Sequence, residues 1–378
     1  MNVLILGKVR GFFKHLMNDI NGEKLSFTSQ NDTYEVASKL KVLVASLLRT
    51  KVIGALGIFK VVKYKNQNDK ADMYLSFNRF VDSDKPYYIY LENPTALCNY
   101  SLTCLKSPFA KKKIRKLLAN DNLKKIICMS KACENTLEEV VGVPVPKSKV
   151  CQIYPYVQAN SLVSEKVIRK RCNEKCVKLL FIAQGDRFLS KGGLEVIEAF
   201  AMLKKGNDVS LTIITNIEKI TEKVKSRIEL EGIKLFDFKF SYEEMEKMYS
   251  THHVLLQPSS DDSFGLTVLE AMKAGLAIIA SEMYGFKEMV SDGVNGYLID
   301  PAYRFFDEND IPNPKVWNNR KKTIYSGKIN RQLTEDLIDA ICKLVNEKVL
   351  LLDYSLASYN KANSDFGKEM IINKWNEL

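Results

Sequence analysis

The stretch LLQPSSDDSFGLTVLEAMKAGLAIIASEMYGFKEMVSDGVNGYLIDP, residues 255–301, decides how the rest of the chain is read. Its apolar runs and glycine breaks predict strand, loop, helix, strand, helix and strand in succession. At its centre, Asp262-Ser263-Phe264-Gly265-Leu266-Thr267-Val268-Leu269-Glu270 sets one carboxylate in the loop and a second one in the helix that follows. The helix start between them offers unpaired backbone N–H groups and the positive end of the helix dipole, a seat for a phosphate or a developing negative charge. Gly265 removes a side chain where a ligand could approach the backbone, and Gly275 marks the helix stop. Taken singly, Asp262 reads equally as a helix cap, Ser263 as a turn former and Glu270 as a solvated helix residue. The ordered combination argues for a site.

On the N-terminal side, Val177 to Ala183, interrupted only by Lys178, is an apolar run of the kind buried in a parallel sheet. The loop after it, Gln184-Gly185-Asp186-Arg187-Phe188-Leu189-Ser190-Lys191-Gly192-Gly193, precedes a helix from Leu194 to Lys204. Its glycines allow backbone approach to a ligand, and Arg187 and Lys191 present cationic donors suited to a diphosphate. A plain turn with solvated charges is the alternative.

Pro258-Ser259, Asp262, Phe264-Gly265, Glu270-Ala271-Met272 and Ala274-Gly275 together resemble the donor-binding signature of the retaining glycosyltransferases of GT-B fold, family four. The family has Glu where this chain has Asp262, one methylene shorter. The earlier loop resembles the family's Gly-x-x-Phe-x-x-Lys-Gly variant, with Gly185, Phe188, Lys191 and Gly192 in register. The commoner form places Arg directly after the first Gly, whereas here Asp186 stands there and Arg187 follows.

The resemblance implies an α/β protein of two Rossmann-like domains facing a central cleft. It implies a nucleotide-sugar donor, a UDP- or GDP-sugar, with no cofactor and no metal. In that reading Asp262 holds sugar hydroxyls and Glu270 the ribose. Arg187, Lys191 and the amides around Gly265, Leu266 and Thr267 stabilise the diphosphate, with Gly185 and Phe264 as further donor contacts. Gly11 and Arg10, after the first strand, are candidates near the reacting sugar. Glu92, where many relatives carry a His, is an acceptor-side candidate, although Glu92-Asn93-Pro94 also reads as a simple turn. The implied acceptor is a saccharide or lipid-linked saccharide in cell-surface polysaccharide or glycolipid synthesis. Two rivals stay open: a non-catalytic nucleotide-sugar-binding protein and a sugar-nucleotide epimerase.

Composition narrows the class independently. A chain of 378 residues has room for two domains, each with its own core. No run of about 18 uncharged apolar residues occurs, so no transmembrane helix is expected. The opening MNVLILGKVRG reads as a first strand and not as a secretory signal. The 8 cysteines lack paired metal-ligand spacing, and only 3 histidines could supplement them, which argues against structural zinc and for reduced thiols in a cytoplasm. His252 and His253 have no neighbouring carboxylate or serine to suggest a triad, and read as structural. Net charge is +11, which favours an anionic partner, and no nucleic-acid-binding motif is present.

Along the chain, residues 1–160 read as the acceptor-binding domain, 161–176 as a polar linker, 177–354 as the donor-binding domain, and 355–378 as a C-terminal helix crossing back to the first domain. Residues 303–330 read as an inserted polar loop. Two segments rich in Lys and Arg among apolar residues, 39–65 and 109–118, suggest contact with an anionic membrane surface, giving a cytoplasmic protein held peripherally on the inner face of the cell membrane. A domain-packing helix with a solvated basic face accounts for either segment alone.

Overall fold

The computed structural model describes residues 1–7, 11–20, 24–29, 50–66 and 69–378. The apolar runs become parallel strands in two compact units. Unit 1 comprises Met1–Val157, Asp310–Pro312 and Lys368–Leu378, and unit 2 comprises Gln158–Asn309 and Asn313–Gly367.

In unit 1, β1 (Asn2–Leu6), β2 (Ser26–Ser29), β3 (Met73–Phe77), β4 (Tyr87–Leu91), β5 (Leu123–Cys128) and β6 (Val150–Gln152) form one parallel sheet. Its order is β2-β1-β3-β4-β5-β6. All five residues of β4, YYIYL, are buried, as a strand covered on both faces requires. The helix Lys368–Asn376 completes this core. Trp375 meets Phe27 at 5.3 Å and Tyr90 at 5.8 Å between ring centroids, and the Tyr88 hydroxyl donates to the Leu378 carbonyl at 3.2 Å.

In unit 2, β7 (Val177–Ile182), β8 (Val209–Thr215), β9 (Lys234–Asp237), β10 (Val254–Gln257), β11 (Ala277–Ser281) and β12 (Gly296–Ile299) are likewise parallel. The order is β9-β8-β7-β10-β11-β12. It is the doubly wound arrangement in which the direction of winding reverses between β7 and β10, and the loops leaving those two strands open at the crevice where such sheets bind ligands. These are the two loops singled out above, 184–193 and 258–265.

Three boundaries differ from expectation. The stretch 161–176 is not a linker: it contains the helix Glu165–Cys172, whose Ile168, Arg171 and Cys172 are buried in unit 2. The Arg171 guanidinium is held by the carbonyls of Ser250 at 3.0 Å and Ala274 at 3.1 Å, which is how a basic residue in a polar-looking stretch becomes core. The C-terminal region is two helices, not one. Lys348–Ser364 packs in unit 2 on the helices Glu165–Cys172 and Leu266–Lys273, and only Lys368–Leu378 belongs to unit 1. The segment 303–330 is more than a polar loop, because its aromatics gather. Phe305 stacks on Trp317 at 3.9 Å, Arg320 lies over both rings, and Phe306 stacks on Tyr284 at 4.2 Å.

Candidate functional site

The site is built where the loops after β7 and β10 meet. The Ser260 N–H donates to the Ser190 carbonyl at 2.8 Å, and a Cβ added at Gly192 would lie 2.6 Å from the Pro258 carbonyl oxygen. Gly192, at φ +78, therefore serves the contact between the two loops. Gly193 likewise makes room for the Phe188 ring, and Phe188 packs edge-on against Phe181 of β7. Gly185 packs against a third loop. Its N–H is taken by Asn216 Oδ1 at 3.0 Å, and a Cβ there would meet Asn216 and Lys219 at 2.6 Å, so its missing side chain accommodates the loop after β8.

The two cations of the first loop each meet a carboxylate of the second. Arg187 Nη2 donates to Asp261 Oδ1 at 2.6 Å, and Lys191 Nζ pairs with Asp262 Oδ2. Burial pulls the Lys191 ammonium below its ordinary pKa, against the opposing pull of Asp262. Asp262 also receives the Gln257 amide at 3.5 Å, again through Oδ2. Its Oδ1 makes no hydrogen bond among the described residues, so the carboxylate has an oxygen left for a ligand. A lysine carries three donors, and one pair to Asp262 aims the ammonium while leaving the others for an anion.

Beside these pairs the helix Leu266–Lys273 begins. Gly265 occupies its N-cap at φ +88, with a Cβ position only 2.0 Å from Phe286 Cε1. No side chain caps this terminus, so the amides of Gly265, Leu266 and Thr267 keep their donors free among the described residues. Phe264 is buried against Phe366 and acts as an anchor of the loop. One turn on, the Tyr249 hydroxyl donates to Glu270 Oε2 at 2.7 Å. Burial pushes the Glu270 carboxyl up to about 7, with the Tyr249 hydrogen bond acting in the opposite sense.

A further sign of a ligand edge lies at the strand ends. Thr215, Gln257 and Ser281 are the last residues of β8, β10 and β11, and each has a buried side-chain oxygen without a hydrogen-bond partner among the described residues. Arg187 Nε is in the same state. Buried polar atoms are nearly always satisfied, so this grouping at one edge of one sheet marks where polar partners are due.

Chemically, the site offers two cations, a free helix N-terminus and a carboxylate whose charge state changes near neutrality. The family comparison decides what these belong to: residues 165–304 match the family described as Glycosyl transferases group 1. This stretch is a glycosyl transferases group 1 domain. It contains every donor-side residue singled out in the sequence. The chain is 26% identical over 212 residues to an uncharacterized 41.2 kDa protein in the cps region of Klebsiella pneumoniae, covering 54% of this chain and 57% of that protein. The match thus spans little more than half of that relative. Among solved structures, the chain resembles Anabaena Alr3699/HepE in complex with UDP-glucose, with TM-score 0.59, 14% identity and full coverage of both chains. It also resembles WaaG, a glycosyltransferase involved in lipopolysaccharide biosynthesis, with TM-score 0.58, 14% identity and coverage of 100% and 99%. The fold is that of the GT-B glycosyltransferases, with the group 1 domain in unit 2.

The acceptor-side candidates lie in unit 1. Glu92 follows β4, accepts from the Tyr100 hydroxyl at 2.5 Å, and its N–H donates to Asn78 Oδ1 at 3.0 Å. Asn78, Asn99 and Tyr100 all hold left-handed backbone conformations, with φ of 61°, 56° and 61°. Such strain concentrated around one carboxylate is typical of functional sites. Gly11 opens the helix Gly11–Ile20 with open space where a Cβ would stand. Arg10 lies outside the described residues. His252 and His253 are buried and bonded on both ring nitrogens, and burial lowers each to about 4, so both are neutral parts of the core.

Two partners in the group 1 domain were not visible in the sequence. Asp261 reads there as one of a pair of loop acids, with nothing to tie it to Arg187. Tyr249 reads as an ordinary helix residue. The spacing from Tyr249 to Glu270 spans a strand and a loop, and no local pattern marks such a pair.

Proposed function

We propose that the chain transfers a sugar from a nucleoside-diphosphate sugar, a UDP- or GDP-sugar, to a saccharide or lipid-linked saccharide acceptor with retention of anomeric configuration. The observation that carries this reading is the convergence of Arg187, Lys191 and the free amides at Gly265 to Thr267 on one edge of the group 1 domain. The negative charge that develops on a departing diphosphate is stabilised best by fixed donors of this kind, held in place before reaction. With those donors supplied by the protein, the reading requires neither metal nor cofactor. Asp262 Oδ1 is assigned to donor-sugar hydroxyls and Glu270 to the ribose. The UDP-glucose bound by the Anabaena protein supports a donor of this class. The cps region of the Klebsiella relative and the lipopolysaccharide role of WaaG support cell-surface polysaccharide or glycolipid synthesis. Glu92 is the acceptor-side carboxylate in this reading.

The test is nucleotide release from a panel of UDP- and GDP-sugars with saccharide and lipid-linked acceptors. Acceptor-dependent release with an α-configured product from an α-configured donor supports the proposal. Donor binding without turnover across the panel would identify a non-catalytic sugar-nucleotide binder, and donor isomerisation without acceptor would identify an epimerase.

Tyr249 gives a second prediction. Its hydrogen bond favours the charged form of Glu270, so Tyr249→Phe raises the carboxyl further above about 7. If the carboxylate form binds the ribose, donor KM falls as pH rises through that range in the native chain. In Tyr249→Phe that transition moves to higher pH. For a shift of about a half to one pKa unit, the variant's donor KM at neutral pH is expected to rise by roughly two- to sixfold, with kcat at saturation preserved. An unshifted KM profile would remove Tyr249 from the site. For stability the sign is opposite: a carboxyl raised from 4.5 to about 7 makes the fold bind the proton more tightly than the unfolded chain does, so its contribution falls as pH rises through that window.

A further inference from the structure

Unit 1 carries an exposed face in which apolar and cationic side chains are combined. The helix Lys51–Ala55 and the helix Pro108–Leu118 meet at Gly57, where an added Cβ would lie 2.4 Å from the Ala110 nitrogen. The junction is tied by Ser107 Oγ, which donates to the Ala55 carbonyl at 2.8 Å. Gly54 seats the first helix on the helix Leu102–Lys106, since a Cβ there would stand 2.8 Å from Ser101 Oγ. This rigid corner presents Val52, Leu56, Ile58 and Phe109 outward, and Val52 and Phe109 are 71% and 70% exposed. Val52 and Leu56 share a helix face at i, i+4, and Leu56 and Ile58 flank the glycine that touches the Phe109 segment.

The charges on these two segments are of one sign. Lys51, Lys60, Lys112 and Lys116 are exposed on the same two segments, and Lys113 lies over the Phe59 ring at 4.4 Å. The sequence has no Asp or Glu anywhere in 36–68 or in 93–120. Isolated exposed apolar residues are ordinary, but large apolar side chains clustered at one corner, with exposed lysines on the same two segments, are the pattern of an interfacial anchor. The apolar tips enter the headgroup boundary while the lysines meet anionic headgroups. Of the cations expected from sequence to take part, Lys39, Lys41 and Arg49 lie outside the described residues.

We propose that this corner docks unit 1 on an anionic lipid bilayer, with Leu56 and Phe109 as the inserted side chains and the surrounding lysines as the headgroup contacts. The inference stands on unit 1 alone and is independent of the donor reading. It places the protein peripherally at a membrane surface, where a lipid-linked acceptor would be presented.

The test is co-sedimentation of the full chain with vesicles of mixed phosphatidylglycerol and phosphatidylcholine, against vesicles of phosphatidylcholine alone. Partition into the mixed vesicles at about 50 mM salt should exceed that into neutral ones at least tenfold, and should drop at about 500 mM as the charges are screened. Leu56→Ser with Phe109→Ser, and separately Lys112→Glu with Lys116→Glu, should each weaken partition about tenfold or more. All four positions are exposed, so the thermal unfolding midpoint should not move, which separates lost docking from lost fold. Absence of partition at low salt overturns the proposal, as does full partition of both variants. Self-association abolished by the apolar variant, without vesicle binding, would assign the face to a second copy of the chain and also overturns it.

Discussion

Lys191→Ala is expected to lower kcat for sugar transfer by about 100- to 1,000-fold, the usual consequence of removing one fixed donor to a developing anion. The ammonium is buried, and its burial depresses its pKa, so the fold bears a cost for keeping a charge there. Such a group is retained for chemistry more readily than for stability. Lys191→Ala also frees Asp262, whose carboxylate is partly exposed and can take up water in place of the lysine. The measurement is steady-state nucleotide release at saturating donor, with far-ultraviolet circular dichroism to show that the variant is folded. A folded variant within threefold of the native turnover would exclude Lys191 from stabilising the leaving group.

Gly265→Ala is expected to damage both fold and activity. The native φ of +88 is open to glycine and strained for alanine, and the new Cβ would stand 2.0 Å from Phe286 Cε1, a buried ring. Backbone strain of about 1–3 kcal/mol and an overpacking term of about 1–3 kcal/mol combine to a loss of roughly 2–6 kcal/mol. For a unit of this size that corresponds to a fall of roughly 5–15 °C in unfolding midpoint. The ring cannot yield without moving the helix start, so donor affinity should fall in the same variant. Calorimetry together with titration by nucleoside diphosphate measures both. An unchanged midpoint would mean that the loop relaxes freely, and the amides at 265–267 would then not be a rigid anion seat.

How far each element is legible in the sequence depends on the range over which its signal acts. The helix start at Gly265 was legible because glycine, the apolar run after it and the stop at Gly275 are all local. The Rossmann-like class of unit 2 was legible for the same reason, since apolar runs alternate with helices along the chain. The neighbours of Gly185 were not legible, because a glycine between strand and helix signals close approach without saying what approaches; here it is Asn216 and Lys219. The helix Glu165–Cys172 was hidden because its exposed face is heavily charged and its buried arginine is satisfied only by carbonyls far along the chain. The aromatic cluster of Phe305, Phe306 and Trp317 was hidden for a related reason: three rings spread over a polar stretch show no period, and only folding brings them together. Asp261 and Tyr249 belong to the same class, since each takes its meaning from a partner in another loop or helix.

The packing of Trp375 between Phe27 and Tyr90 has a consequence for how the protein is made. The nascent chain delivers the strands of unit 1 first, yet the ring that closes their core leaves the ribosome only after all of unit 2 has been translated. Unit 2 can settle while synthesis continues, whereas unit 1 must wait with an uncovered aromatic surface until residues 368–378 emerge. Of the two units, the one whose strands are translated earlier is the one completed later.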